Sequence, residues 1–388
     1  MVSALCAGLM LGLLASQVIA GEPAPRARDL GIPFDGAPGP LNAITDVAGV
    51  TVGQVTIIED LADHRAARTG VTAILPRGPD SLNRPAFAGW FTLNGNGEMT
   101  GTTWVEESGL LEGPVMLTNT HSVGAVHQAT IEWRVGQGGP DASGYFWSVP
   151  VVAETWDGYL NDVNGFHVKP EHVFGALESA AGGPVAEGSV GGGTGMICHG
   201  FKCGIGTSSR IAETADGSYV LGVLVQANYG RRELLRVAGV PVGKYLGGDQ
   251  APVRGGEVPD GAGSIIIVVA TDAPLLPVQL KRIAKRAALG LARVGSYASN
   301  SSGDIFIAFS TANTNADQAA RGQSIRVLAN EDIDPLFLAT VEATEEAIVN
   351  ALVAGRDITG DRGHTVEGID HGELIDVLRS HNRLTNRE

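Results

Sequence analysis

Basic charge is short in this 388-residue sequence: 27 lysines and arginines stand against 42 acids, for a net charge of −15. A chain so acidic has no footprint for tracking nucleic-acid phosphates. Its one basic cluster, Lys281, Arg282, Lys285 and Arg286, falls on the polar side of a helical repeat and reads as a solvated face or a subunit contact. Cysteine is nearly absent. Cys6, Cys198 and Cys203 are the three present, too few for a disulfide framework or a cysteine-based zinc site. The nine histidines are scattered, with no His-Glu-x-x-His arrangement, and His121 and His127 are six apart and share no helix face. No metal and no cofactor is expected. Aromatic residues make up only 5%. Beyond the first residues no apolar run approaches the ~18–20 residues a membrane span requires, and there are no repeats or coiled-coil heptads.

What is present is apolar and glycine-rich. Hydrophobic residues reach 44% against 18% charged, with 54 glycines, so a large core and many tight turns are expected. The length allows two or three ordinary domains or one large α/β domain. Met1 to about Ala20 carries a nearly unbroken apolar run from Ala4 to Ala15, and Val18-Ile19-Ala20 offers a small-residue cleavage site before Gly21. This reads as a secretory signal peptide, so that the mature chain is periplasmic or secreted and leaves the membrane once the signal is removed. The departure is an n-region without Lys or Arg; a short buried N-terminal helix is the alternative.

The most informative stretch is Asp260-Gly261-Ala262-Gly263-Ser264, followed directly by Ile265-Ile266-Ile267-Val268-Val269. A β-branched run of this kind is a buried strand, and Val or Ile would serve better than Ser at its head. The serine makes sense if the chain is cut between Gly263 and Ser264. Its hydroxyl is then a nucleophile and its own α-amine, titrating at about 7.7–8.0, the base. Gly263 tolerates the strained backbone of such a cut. The plain alternative is a glycine turn leading into a strand. After Thr271-Asp272-Ala273-Pro274, the residues Leu280, Ile283, Ala284, Ala287 and Leu291 recur at helical spacing. The polar stretch Gly295–Asp304 then returns into Ile305-Phe306-Ile307-Ala308-Phe309, a second buried strand.

Earlier segments read as strands, turns and helices. Ile44 to Gly53 is expected to be strand–turn–strand, and Asn94-Gly95-Asn96-Gly97 a hairpin turn with Glu98 solvated. Val115 to Leu117 is a core strand, and Val149 to Ala153 is another, running into Glu154 and an aromatic loop. A helix is expected over Lys169–Ala181. The Gly-rich run Glu187–Met196 lacks a dinucleotide fingerprint. Cys198 and Cys203 could pair in an oxidising compartment, although so short a loop constrains the geometry, and the pairing stays open. Tyr219 to Gly230 is a long strand; Arg231 to about Pro259 is expected to be exposed. Asp334 is a candidate N-cap with Pro335 at the first helical position, Leu338, Val341, Ile348, Val349 and Leu352 mark that helix's apolar side, and Gly355 suits its end. Leu374, Val377 and Leu378 suggest a final helix. Taken together the class is α/β or α+β.

Over Gly263–Asn313, and more loosely over most of the mature chain, the sequence resembles the L-aminopeptidase/D-esterase and β-aminopeptidase family of self-cleaving serine hydrolases. The string Ile44–Gly53 is similar to that family's N-terminal signature. The resemblance implies an αββα sandwich similar to the Ntn-hydrolase fold, built jointly by a long chain, 21–263, and a short chain, 264–388. It implies a homo-oligomer, a tetramer, of two-chain units. The substrates implied are short peptides, amides or esters. The residue roles it implies are Ser264 as nucleophile, Asn228 in the oxyanion hole, and Ser302 with Asp304 as a Ser-x-acid pair tuning proton transfer. Some members carry Glu where this chain has Asp304. Glu154 best matches the acid that receives the substrate's ammonium, and Tyr159 the tyrosine that supports the reaction centre. From the residues alone Ser302-Gly303-Asp304 is a turn, Asn228 a turn former and Glu154 an exposed strand end. Two other readings are kept: an ornithine-acetyltransferase-like acyl transferase, which uses Thr where this chain has Ser264, and a non-catalytic secreted binding protein on the same fold.

Overall fold

The computed structural model of the chain describes residues 25–138, 147–247, 263–314 and 324–385. The expected signal peptide and the approach Asp260–Ala262 lie outside the described residues. In chain order the strands are β1 (Thr51–Asp60), β2 (Ala66–Pro79), β3 (Ala86–Gly95), β4 (Leu110–Leu111), β5 (Val115–Asn119), β6 (Val151–Thr155), β7 (Ile197–Cys198), β8 (Phe201–Lys202), β9 (Ile205–Thr214), β10 (Gly217–Asn228), β11 (Gly263–Thr271), β12 (Ser302–Ser310), β13 (Ile358–Thr359) and β14 (Thr365–Val366). The α-helices are α1 (Thr102–Ser108), α2 (Val123–Gly136), α3 (Pro170–Glu178), α4 (Pro277–Arg293), α5 (Asp334–Val353) and α6 (His371–Ser380).

Two sheets carry the fold: a four-stranded one in the order β1-β2-β5-β6 and a six-stranded one in the order β4-β3-β12-β11-β10-β9. Each contains one parallel pair, β5–β6 and β11–β12, joined through a helix (α2 and α4). Every residue of β11 is buried, because both of its faces are covered, and this is why its sequence runs Ile-Ile-Ile-Val-Val without alternating. Ile266 and Val268 point between the sheets, against Leu117, Val151 and Ala153. Ile265, Ile267 and Val269 point the other way, against Leu280, Ile283 and Ala284 of α4 and Ala343 and Ala347 of α5. On the far side, Val71, Ala73 and Met116 meet Val126 of α2 and Val173 and Leu177 of α3. The order of layers is helix, sheet, sheet, helix, the sandwich expected. Each fully buried Leu or Ile in these layers contributes about 1.5–3 kcal/mol.

The basic side of α4 stays at the surface. Lys281 pairs with Glu106, while Arg282 and Arg286 lie over the Phe337 ring.

Several local expectations are corrected. Residues Ile44–Asp46 form a 3-10 turn, not a strand, because the Asp46 carboxylate gathers the N–H groups of Leu41 and Ala43 and the Ser209 hydroxyl. The stretch after β3 is no hairpin; it dives toward β6, where Thr100 N–H donates to the Val152 carbonyl. The first part of the expected exposed stretch is folded in: Leu235, Val237, Val240, Val242 and Leu246 are buried. Asp334 is the first residue of α5, and Ile333 holds the cap position. Leu338 is 53% exposed. Gly355 follows α5 without left-handed backbone; its smallness serves a close approach, since a Cβ there would lie 2.0 Å from the Lys202 carbonyl oxygen.

Candidate active site

Strand register brings the sequence-predicted residues together. Ser264 opens β11 opposite Asn228 of β10 and beside Gly303 of β12; Gly263 is beside Ser302. Ser264 is 6% exposed, and its Oγ accepts the Gly303 N–H at 3.1 Å. By alternation along the strands, Ser264 and Asn228 share the face that looks between the sheets, while Ser302 and Asp304 share the face toward α4 and α5. Ser302 Oγ donates to Asp304 Oδ1 at 2.6 Å. Asp304 Oδ2 is buried without a partner among the described residues. A small pocket beside Gly263 is lined by Tyr229, Ser296, Tyr297 and Ser302. Gly263 fits for a reason beyond the tolerance of strain: a Cβ there would sit 2.6 Å from the Asn228 carbonyl oxygen and 2.8 Å from the Tyr229 Cα.

The Asn228 side chain is held at both ends. Its Oδ1 accepts the Ile197 N–H at 2.8 Å and its Nδ2 donates to the Trp156 carbonyl at 2.8 Å. A donor on one side and an acceptor on the other fix which end is which, and one Nδ2 hydrogen remains available.

Glu154 is the next-to-last residue of β6 and is 3% exposed, not the exposed strand end that the residues alone suggest. Its Oε1 accepts the Glu98 N–H at 3.0 Å, and its Oε2 accepts the Thr120 hydroxyl. Burial raises its pKa against these bonds. A Cβ on Gly97 would lie 3.2 Å from Glu154 Oε1 and 3.2 Å from the Gly303 Cα, so Glu154 lies across one glycine from the residue that contacts Ser264. Tyr159 lies in a satellite cluster with Leu160 and Val366, its ring stacked on His364 at 4.3 Å. Trp156 and Ile197 pack on that cluster, so Tyr159 backs the two residues that hold Asn228.

Sequence reasoning missed Gly97, Thr120, the backbone of Glu98 and the N–H groups of Gly303 and Ile197. The only available signals were the paired glycines of Asn94–Gly97 and the glycine inside Ser302-Gly303-Asp304. Among the described residues, no group of three or more His, Cys, Asp or Glu side chains could hold a metal ion.

Burial pushes the Asp304 carboxyl up to about 6, with the Ser302 hydroxyl and the Ile265 backbone opposing it. A carboxyl raised above its unfolded value favours the folded state while protonated. That contribution is full below about pH 4 and is lost as pH rises through 6. Relative to the uncut Ser264→Ala protein, Asp304→Asn is therefore expected to make the change of melting temperature from pH 4 to pH 7 more positive. Thermal unfolding of both proteins at both pH values checks it.

Two facing sheets between helix layers, with a buried serine at the head of a central strand beside an amide and a hydroxyl–carboxyl pair, define a serine hydrolase of the Ntn type. The chain belongs to peptidase family S58, whose model matches residues 42–366. It is 53% identical to the β-peptidyl aminopeptidase BapA of Sphingosinicella microcystinivorans over 390 residues, covering 96% of this chain and 97% of that one. Among solved structures it matches the L-aminopeptidase D-Ala-esterase/amidase of Ochrobactrum anthropi, described as a prototype of the serine aminopeptidases and a variant of the Ntn-hydrolase fold. That match has a TM-score of 0.86 and 50% identity over 93% of this chain and 99% of that one. A β-aminopeptidase from a Burkholderia species matches at 0.84 and 50% identity, over 94% and 100% of the two chains. The chain is a hydrolase of the aminopeptidase class.

Proposed function

We propose that the chain matures by cutting itself between Gly263 and Ser264 and then removes N-terminal residues from short peptides, amides or esters. The substrate class follows the names of its relatives: N-terminal L-residues, D-alanyl esters and amides, and β-amino-acid peptides. The observation that carries this reading is the placement of Ser264, at a strand head between Asn228 and Gly303 and one residue from the Ser302–Asp304 pair. In the reaction, Ser264 Oγ bonds to the substrate carbonyl carbon while the α-amine of Ser264 takes the hydroxyl proton. The tetrahedral oxygen draws on the free Nδ2 hydrogen of Asn228 and on backbone N–H groups, worth about 3–4 kcal/mol per donor. The C–N or C–O bond breaks, the proton passes to the leaving group, and water repeats the sequence on the acyl-serine. Ser302, polarised by Asp304, is the neighbour of the new amine and steadies its proton. Glu154 receives the substrate's ammonium, and Tyr159 supports the Asn228 side of the site. The long chain, 21–263, and the short chain, 264–388, form one catalytic unit; the proposal includes export to the periplasm or medium and assembly of the units into a homotetramer.

Mass spectrometry of the purified protein tests the reading. Two fragments that meet at Gly263/Ser264, the shorter beginning Ser-Ile-Ile-Ile, are expected; a single intact chain with full aminopeptidase activity would overturn it.

A further inference from the structure

β10 loses its β9 partner before it reaches the site. The last β9–β10 pair is Gln226 with Ile205, whereas β11 continues to pair Ala227 with Ile265 and Asn228 with Ser264. The free edge of Ala227–Tyr229 is covered instead by the loop from Met196 to Gly204. Ala227 N–H donates to the Gly204 carbonyl at 2.9 Å, and His199 N–H donates to the Tyr229 carbonyl at 2.8 Å. Between them, Ile197 N–H donates to the Asn228 side chain at 2.8 Å.

This loop is a closed unit. β7 and β8 pair Ile197 with Lys202 and Cys198 with Phe201. The turn between them places His199 at φ 50° and Gly200 at φ 74°, the left-handed pair a two-residue hairpin needs. A disulfide joins Cys198 to Cys203, resolving the pairing that the sequence left open. Both sulfurs are fully buried against the Ala227 carbonyl oxygen, at 3.3 and 3.1 Å. The Lys202 ammonium, also fully buried, donates to the carbonyls of Met196 at 2.8 Å, Cys203 at 2.5 Å and Gly193 at 3.4 Å. A buried ammonium satisfied by carbonyls alone fixes the path of the backbone that supplies them.

We infer that the Cys198–Cys203 loop, braced from inside by Lys202, is the positioning element for Asn228: it substitutes for the missing strand and aims the amide through the Ile197 N–H. The inference rests on the oxyanion role given to Asn228 above. Loosening the loop leaves the nucleophile and the ammonium anchor in place but lets the amide turn. The cost therefore falls on kcat and not on KM.

The test is a double-mutant cycle on the two-chain protein, using Cys198→Ala/Cys203→Ala, Asn228→Ala and the combined variant. kcat and KM are measured with an alanyl amide, and self-cleavage rates are read on gels so that a slow-maturing variant still gives a value. The disulfide-free variant is expected to keep KM within about twofold and to lose kcat by about tenfold or more; Asn228→Ala alone should lose about a hundredfold. Added to Asn228→Ala, removal of the disulfide should cost less than about twofold, because the residue it acts through is gone. Equal losses in the two backgrounds, or an unchanged kcat without the disulfide, would overturn the inference. Parent-level kcat for Asn228→Ala alone overturns the oxyanion reading instead, whatever the disulfide variants do. If the double alanine variant does not fold, Ile197→Pro, which removes the N–H that holds Oδ1 along with the Ile side chain, takes its place with the same expectations.

Discussion

Ser264→Ala is expected to remain one full-length chain and to hydrolyse no substrate. In the proposed mechanism one hydroxyl serves two reactions: before the cut it attacks the Gly263 carbonyl, and afterwards it attacks the substrate, with the amine that the cut released as its base. Removing it leaves neither step. The loss of kcat should be about 10⁴-fold or more, since what survives the loss of a nucleophile is only the contribution of positioning and oxyanion donors. Stability should fall by about 1–3 kcal/mol, because among the described residues the Oγ accepts the Gly303 N–H and its removal leaves that buried donor unpaired. A denaturing gel reports the first expectation, a peptide-amide assay the second and a thermal melt the third. Two-chain maturation of this variant at the parent's rate would remove Ser264 from the mechanism altogether.

The legible part of this molecule was what side chains write locally. The run Ile265–Val269 announced a strand buried on both faces because it has no polar alternation to spend on solvent. The spacing of Leu280, Ile283, Ala284, Ala287 and Leu291 announced the helix that covers it, and all five are buried. The parts of the site that lie near Ser264 in sequence, Ser302 and Asp304, came with the same stretch. What the sequence withheld was pairing. Nothing in Asn94–Met99 distinguishes a hairpin from a loop that carries Gly97 and the Glu98 N–H to the end of β6, because Asn-Gly chemistry suits both. The donors that hold Glu154, Asn228 and Ser264 include backbone N–H groups of Glu98, Ile197 and Gly303, which every residue but proline owns. Leu235–Leu246 is buried for a related reason: glycine, proline and charge suggest exposure, yet one apolar residue in every two or three is enough to lay a chain without regular structure on a core. The disulfide needed Cys198 and Cys203 to meet across a hairpin that only the left-handed His199-Gly200 turn provides.

Glu154→Gln is expected to mature normally and then to lose about 10- to 100-fold in kcat/KM on a free-amine alanyl amide. Self-cleavage requires no external amine, so a carboxylate reserved for substrate is idle until the chain is cut. In the proposed role it pairs with the substrate's ammonium, and a hydrogen bond to a charged group contributes about 1.5–3 kcal/mol, which sets the size of the expected loss. The carboxylate is already arranged for this. Glu154 spends one acceptor position of Oε1 on the Glu98 N–H and one of Oε2 on the Thr120 hydroxyl. A carboxylate oxygen has two such positions, so an ammonium can be added without breaking either bond. Burial, which raises the Glu154 pKa in the empty site, works against the lone anion, and the arriving cation reverses that penalty. The same logic excludes blocked substrates, because an N-acetyl group brings no charge to pair with the buried carboxylate. The parent should therefore cleave the alanyl amide and ignore its N-acetyl form, and the Gln variant should discriminate between them far less. Kinetics on both substrates with both proteins, beside a gel that confirms two chains in each, decide the matter. A Gln variant as active as the parent on the free-amine substrate would place the ammonium anchor elsewhere and leave Glu154 as the brace between Thr120 and the Glu98 backbone.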